Sequence, residues 1–418
     1  MLRHLSCSNV PGPLSHLAVL DLSRVLAGPW CTQHLADLGA TVWKIERPGS
    51  GDDTRAWGPP YLKDAHGRDT SEAAYYLACN RGKHSVAVDF TKPEGQAIVR
   101  ELALQADVLV ENYKVGGLAR FGLDHASLAV PNPRLVYCSI TGFGQDGPSA
   151  ERAGYDFIIQ GMTGFMSVTG ERDDLPGGGP QKAGVAITDL VTGLFAATGI
   201  LAALAERERT GRGRHVDACL FDSAVAMMTV MNLNYLVTGR APGRLGNAHP
   251  NIVPYQVFAC ADGHLILAVG NDGQFAKFCE AAGVAAWAAD PRFARNADRV
   301  RHRGTLVPMV AEVVRTKRQR EWLELLEPLG VPCGPINPID RVFDEPQLAA
   351  RGLKLDLPHP LAGSVPQVGF PLLLDGQRSD AAMPPPLLGQ HTAQVLKERL
   401  GYDDARIADL VSRGVVAA

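Results

Sequence analysis

The stretch 16–46, HLAVLDLSRVLAGPWCTQHLADLGATVWKIE, holds a short apolar run, AVLDL, a segment with helical spacing, AGPWCTQHLADLG, and a second apolar run, ATVWKIE. Apolar runs of this length suit buried strands, and a helix between two of them makes the strands parallel, because only a long crossover returns the chain in the same direction. Pro29 is expected at the first helical position and Gly39 at the helix end. The pattern then repeats. A polar loop, RPGSGDDTRAWGPPY (47–61), leads to SVAVDF (85–90) and to a helix from Thr91 to Gln105, whose Thr91 and Glu94 fit a capping box. VLVENY (108–113) and RLVYCSIT (134–141) are two more strands. The alternation predicts an α/β fold, a doubly wound, Rossmann-like parallel sheet with helices on both faces. Such sheets bind ligands at the carboxyl ends of their strands.

Near Gly239 the texture changes. GRAPGRLGNAHPNIVP (239–254) is rich in Gly, Pro and Asn and reads as a linker. YQVFACADGHLILAVG (255–270) then reads as a hairpin turning at Asp262-Gly263, and helical patterns follow to Leu329. GVPCGPINP (330–338) is a second linker, and beyond it lie GSVPQVGFPLLL (363–374) and helices near 392–398 and 403–413. The expected division is a large domain begun by 1–225, a small α+β domain over 226–335, and a C-terminal part, 336–418, that completes the large one.

The 418 residues carry 41 Lys and Arg against 44 Asp and Glu, a formal net charge of −3. No global basic field points to nucleic acid or anionic membrane, so an anionic ligand must be met by local charge. The eight cysteines are scattered, with no CxxC pair and no cluster at zinc spacing, and are expected to be reduced, mostly buried thiols with no metal. The start, MLRHLSCSNVPGPLSHL, has one Arg, no continuous apolar core and prolines at 11 and 13, unlike a secretory or transit signal. The most apolar window, 190–205, is broken by Thr192, Gly193, Thr198 and Gly199 and falls short of the roughly 18 to 20 residues that span a bilayer. A cytoplasmic protein is expected.

Several motifs invite chemistry. GFGQDG (142–147) satisfies G-x-G-x-x-G after a strand, but Pro148 and SAERAG follow where a helix should open, so a turn-rich loop fits better. PGGGP (176–180) lacks a following Lys-Ser/Thr pair. Cys333 sits between prolines with no His nearby, and His249 lies in the linker, open to a site role or to an ordinary turn. Arg47 and Arg120 follow strands and would stand at the ligand edge of the sheet, where a guanidinium suits phosphate; Lys44, Arg81 and Lys83 could add local positive charge.

One acid stands alone. In AGVAITDLVTGLFAATG (183–199), Asp189 falls in the first turn of an apolar helix. It could cap that helix, accepting backbone N–H bonds. Position and surroundings alone favour the cap; the rival reading is a carboxylate nucleophile, ionised yet poorly hydrated beside an apolar wall.

The chain resembles the class III CoA-transferases, also called the CaiB/BaiF type, through LDLSRVLAGP (20–29), GATVWKIERPGSGDDTR (39–55), NRGKHSVAVDF (80–90), ADVLVENY (106–113), TGFGQDGP (141–148), RAGYDF (152–157), GVAITDLVTG (184–193), TGRG (210–213) and PPPLLGQHT (384–392). The resemblance implies that Asp189 is the nucleophile. It implies that CoA, a substrate rather than a permanent cofactor, is held by Leu26 and Ala27, Arg47, Val88 and Asp89, Asn112 and Tyr113, Arg120 and Tyr155. Leu26 departs from the Gln of formyl-CoA transferase, leaving backbone or packing contact only, and Ala153 stands where some members place a Lys. The α-methylacyl-CoA racemases of the same fold carry His where this chain has Tyr155; a phenol with an ordinary pKa of about 10 is a poor base for an α-proton, which favours transfer over racemisation.

Within the family, GDDTRAWGPPY (51–61), AHPNIVPYQVF (248–258), GNDGQF (270–275) and GVPCGPIN (330–337) are most similar to the succinyl-CoA:glutarate CoA-transferase group. This implies succinyl-CoA as donor and a dicarboxylic acid such as glutarate as acceptor, with formyl-CoA or other acids as alternatives. Transfer would be ping-pong, through an aspartyl mixed anhydride and an aspartyl-CoA thioester. Arg152, Arg244, Arg81 or His249 could meet the second carboxylate, and Tyr155 could also touch substrate. The fold implied is a ring-like chain interlocked with a second copy as a homodimer.

Overall fold

A computed structural model describes residues 12–379 and 383–418. Residues 1–11, with Cys7, lie outside the described residues. The rest divides into two compact units: the described residues up to Phe165 with Ala183–Asn232 and Gln347 onward, and Met166–Lys182 with Leu233–Pro346. Residues 166–182, which the sequence boundaries left in the first part, thus belong to the second unit.

The first unit is built on a seven-stranded sheet: β1 (Ala18–Asp21), β2 (Thr41–Glu46), β3 (Lys83–Val88), β4 (Val108–Glu111), β5 (Val136–Thr141), β6 (His215–Cys219) and β7 (Val416–Ala417). Their order across the sheet is β7-β3-β2-β1-β4-β5-β6. All neighbours run parallel except β7, which pairs antiparallel with β3 through Val416 and Val88. Strand order reverses between β1 and β4, so the loops that leave these two strands diverge and open a crevice at their carboxyl ends.

The apolar runs are buried on both sides, as a covered parallel sheet requires. Leu20, Trp43, Val86 and Leu109 face one core, closed by Ile98 and Leu102 of α2 (Pro93–Gln105) and by Val395, Leu396 and Ile407 from helices near the C-terminus. Val19, Val42, Val110 and Cys138 face the other, closed by Cys31 and Leu35 of α1 (Ala27–Asp37) and by Ala196 and Ile200 of the long helix α4 (Ile187–Thr210). A short helix, α3 (Asp156–Met162), precedes α4.

Several local expectations change. α1 starts at Ala27, so Pro29 is its third residue rather than its first; Gly39 does end it, with φ +102°. The capping box at Thr91 is not formed, because the Thr91 hydroxyl donates to Asp89 at 2.6 Å and α2 begins only at Pro93. α4 has 24 residues, longer than the broken apolar window suggested, and is apolar enough to cross a bilayer by length and composition. It is nevertheless packed into the core. At Gly193 an added Cβ would lie 2.7 Å from the Ala27 carbonyl, so glycine lets α4 approach α1 this closely.

In the second unit, Tyr255–Cys260 and Gly263–Ala268 form the expected hairpin, but its turn is Ala261-Asp262 rather than Asp262-Gly263, because Gly263 already pairs with Cys260 as the first residue of the second strand. Phe275, Phe278, Phe293, Trp322 and Leu326 fill its core against this hairpin.

Among the described residues seven cysteines are free thiols, six of them buried, and no group of three or more His, Cys, Asp or Glu is arranged to hold a metal ion.

Candidate active site

The crevice at the reversal of strand order is a cavity of about 930 Å³, within the size range of ligand sites, and every residue that lines it belongs to the first unit. The loop after β1 contributes Leu26 and Ala27, the end of β2 contributes Arg47, and β3 ends in Val88 and Asp89. Asn112, Tyr113 and Arg120 come from the segment after β4, and Tyr155 and Asp189 close the cavity from α3 and α4. The structure thus brings together all the expected residues but His249. That residue lies in the second unit, its N–H bonded to the Tyr255 carbonyl and its Nδ1 accepting from the Asn251 N–H.

Not all of these side chains are available to a ligand. The Asn112 amide clamps two loops together, accepting from the Arg24 N–H at 2.9 Å and donating to the Arg24 carbonyl at 2.6 Å. Asp89 is occupied by Thr91. Tyr113 lies under the Arg24 guanidinium, 5.2 Å from its centre. Arg47 and Arg120 are solvent-facing, with no acidic partner among the described residues, and Arg120 lies over the Phe121 ring. Exposed guanidiniums at the mouth of an otherwise part-apolar cleft suit the phosphates of a nucleotide ligand.

Three cations expected to add free charge do not. Lys44 is fully buried against Asp52 at 2.9 Å, Lys83 against Asp21 at 3.1 Å, and Arg81 against Asp37 at 2.7 Å. Each has its charge neutralised inside the fold, as a buried cation must. Asp21 and Asp37 are distant in sequence from their partners, and Asp52 reaches Lys44 only across the loop that follows β2, so no helix or strand spacing marks the pairs.

The GFGQDG loop also gains its explanation. A Cβ on Gly142 would stand 2.6 Å from the Gly154 Cα. Two glycine backbones therefore pack directly, and the loop buttresses the turn RAGYD that delivers Tyr155 and Asp156 rather than cradling a phosphate.

Asp189 is the third residue of α4, and the side chain of the residue before the helix makes no capping bond. The capping is done from elsewhere. Asp156 Oδ1, at the start of α3, accepts from the Thr188 N–H at 2.8 Å and from the Thr188 hydroxyl at 2.7 Å. Its Oδ2 accepts from the Gln160 amide at 2.6 Å, and Gln160 in turn receives the Ala183 N–H at 2.9 Å. Among the described residues the Asp189 carboxylate has no hydrogen-bond or ion-pair partner. Burial, reinforced by the Asp156 charge, raises its pKa from 3.8 to about 7. A carboxylate with a strained charge and no partner is available for attack.

Two neighbours of this acid were missed by sequence reasoning. Burial and then the Asp189 and Cys79 charges push the Tyr75 phenol up to about 12, and its ring packs edge-on to Trp57 at 5.1 Å. Asp156 lies inside the RAGYDF motif, where no feature of the sequence singles it out. Neither has a periodicity or spacing that would mark it; only the folded chain sets Tyr75 and Asp156 beside Asp189.

The description CoA-transferase family III matches residues 14–392. The chain belongs to this family. A succinate–glutarate CoA-transferase of Agrobacterium fabrum is 51% identical over 92% of this chain and 95% of its own length. A succinyl-CoA:glutarate CoA-transferase of Homo sapiens is 43% identical over 97% of this chain and 90% of its own. A crystal structure of a CaiB/BaiF family protein from Brucella suis superposes with a TM-score of 0.81 at 47% identity, covering 93% of this chain and 100% of that one. As a family III CoA-transferase, the protein is an enzyme that acts on acyl-CoA and carboxylic acids.

Proposed function

We propose that this chain transfers CoA from succinyl-CoA to a dicarboxylic acid such as glutarate, with Asp189 as nucleophile. The observation that carries the reading is the Asp189 carboxylate, partnerless among the described residues, in a cavity whose helix is capped by Asp156. Asp189 attacks the thioester carbonyl and expels the CoA thiolate, leaving an aspartyl–succinyl anhydride. The thiolate attacks the aspartyl carbonyl, succinate departs, and an aspartyl-CoA thioester remains. The acceptor carboxylate displaces the thiolate from that thioester to form a second anhydride, and the thiolate then takes the acceptor's acyl group, restoring the Asp189 carboxylate. Thioester and anhydride are close in energy, so the chain has only to hold the partners in place and shelter the anhydride from water. CoA itself would lie along Leu26, Ala27 and Tyr113, its phosphates toward Arg47 and Arg120.

Of the cations considered for the second carboxylate, Arg81 is committed to Asp37, and Arg244 to Asp173 and the Glu171 carbonyl. Arg152 lines the cavity with Asp189, lies over the Phe143 ring, and has no acidic partner among the described residues. We assign it the second carboxylate. No histidine is among the described residues lining the cavity, and Tyr155 stands where the racemases carry one, which favours transfer over racemisation.

A homodimer accounts for the exposed apolar faces. Phe195 on α4 is 48% exposed, and the helix Thr229–Thr238 buries none of its residues, with Val237 78% exposed. Faces of this kind on a soluble enzyme are covered by a partner, here a second copy, interlocked as the resemblance implies.

Incubation with succinyl-CoA and a panel of acids, with new acyl-CoA followed by chromatography, tests the reading. Transfer to glutarate that survives Asp189→Ala at full rate would overturn it.

A further inference from the structure

Val25 has φ +70°, a left-handed conformation that a β-branched residue adopts only when its surroundings enforce it. It stands in the cavity wall with Leu26 and Ala27, on the same cavity as Asp189. The surroundings that enforce it can be named. The Val25 N–H donates to Asp52 Oδ1 at 3.2 Å, and the Cys79 thiol donates to its carbonyl at 3.7 Å. Asp52 Oδ1 also accepts from the Thr54 N–H and hydroxyl, while the Asp52 N–H is held by Glu46 at 3.0 Å. Lys44, paired with Asp52 Oδ2, donates from Nζ to the Ser23 carbonyl at 2.9 Å, so one buried ion pair grips the turn at Ser23 and at the Val25 N–H, both on the N-terminal side of the strained residue. The Asn112 clamp on Arg24 completes the hold.

A fold that needed only to connect β1 to α1 would place glycine at such a position. Keeping valine there and spending a buried ion pair on it fixes one geometry of the wall and disfavours every other. We propose that Asp52, neutralised by Lys44, is a positioning residue for CoA transfer: it holds Val25 left-handed and thereby fixes the wall against which the acyl group meets Asp189. The inference rests on the nucleophilic reading of Asp189.

The test compares Asp52→Asn with the double variant Val25→Gly/Asp52→Asn, at a temperature where both are folded, using succinyl-CoA and glutarate. Asp52→Asn is expected to lower kcat at least tenfold, with KM for succinyl-CoA moved less than threefold and the acid limb of the pH profile unmoved. Glycine, which adopts the left-handed conformation without cost, is expected to recover most of the lost kcat in the double variant. A merely stabilising pair would instead give a lower Tm with kcat retained, and a double variant as slow as Asp52→Asn would also overturn the proposal. If Asp52→Asn does not fold, Val25→Pro is compared with Val25→Gly. Proline cannot reach φ +70°, so kcat for the two should differ at least tenfold; similar values would sink the claim. Full transfer by Asp189→Ala would refute the nucleophile alone, since the Val25 comparisons are read against the parent enzyme.

Discussion

Asp156 Oδ1 accepts both the main-chain N–H and the hydroxyl of Thr188, the residue immediately before Asp189, at 2.8 and 2.7 Å. One acid therefore does the structural work at the start of α4 and leaves Asp189 without a partner among the described residues. The charge that caps the helix also opposes ionisation of Asp189. Asp156→Asn keeps an acceptor for Thr188 and removes that charge. It is expected to move the acid limb of the kcat/KM profile, which reports Asp189 near pH 7 in the free enzyme, to lower pH. Asp156→Ala, which removes the acceptor as well, should cost about 1 kcal/mol or more in stability. An acid limb that stays in place in Asp156→Asn, measured from pH 5 to 8, would show that the two carboxylates do not communicate.

Asp189 destabilises the protein that it serves. Well below pH 3.8 it is protonated in both folded and unfolded chains and contributes nothing. As pH rises toward 7 the unfolded chain ionises it while the folded chain does not, so stability falls over this window and stays reduced above it. A carboxyl raised from 3.8 to about 7 corresponds to a penalty on the order of 2–4 kcal/mol at pH 8. Asp189→Asn should therefore be inactive and melt higher than the parent at pH 8, with the difference closing as the pH is lowered to 4. A lower Tm for Asp189→Asn at pH 8 would return the acid to a capping role.

The sheet was legible because its signal is local: buried runs such as AVLDL and ATVWKIE with a helix between them leave little else for the chain to do. Composition and periodicity left Asp189 as cap or nucleophile, and family resemblance chose between them. The structure adds the reason the choice is physically open, which is that Asp156, 33 residues earlier in the numbering, has taken the cap. That Lys44, Lys83 and Arg81 could add charge to a ligand site is a fair reading of sequence alone, since Asp21 and Asp37 reach their partners only through the fold and Asp52 reaches Lys44 across an irregular loop. The pairing of Gly142 with Gly154 was hidden for the same reason, since a close approach of two backbones has no sequence signature beyond the glycines themselves.

Arg152 decides the class of acid in the proposed reaction. A charge-assisted hydrogen bond to a carboxylate contributes about 1.5–3 kcal/mol, a factor of ten or more in selectivity. Arg152→Met should lower the ratio of kcat/KM for glutarate to that for pentanoate at least tenfold with one common donor. The Met side chain keeps much of the packing over Phe143, so the rate with pentanoate should change little beyond that of the parent. A ratio unchanged within twofold would remove Arg152 from acceptor recognition.

Gly193 ties the long helix to the cavity wall. An added Cβ would meet the Ala27 carbonyl at 2.7 Å and Trp30 Cδ1 at 3.1 Å, and Ala27 is the first residue of α1 and part of the wall. Alanine is the better helix former by about 1 kcal/mol, which taken alone would stabilise a Gly193→Ala variant. Overpacking against main-chain atoms costs about 1–3 kcal/mol, and the Ala27 carbonyl cannot swing aside as a side chain could. The steric cost should win. Gly193→Ala is expected to lower Tm and also kcat/KM, because the displaced helix end carries Ala27 away from Asp189. If alanine there raised Tm and left kcat/KM intact, the contact between α4 and α1 would be looser than the distance of 2.7 Å implies.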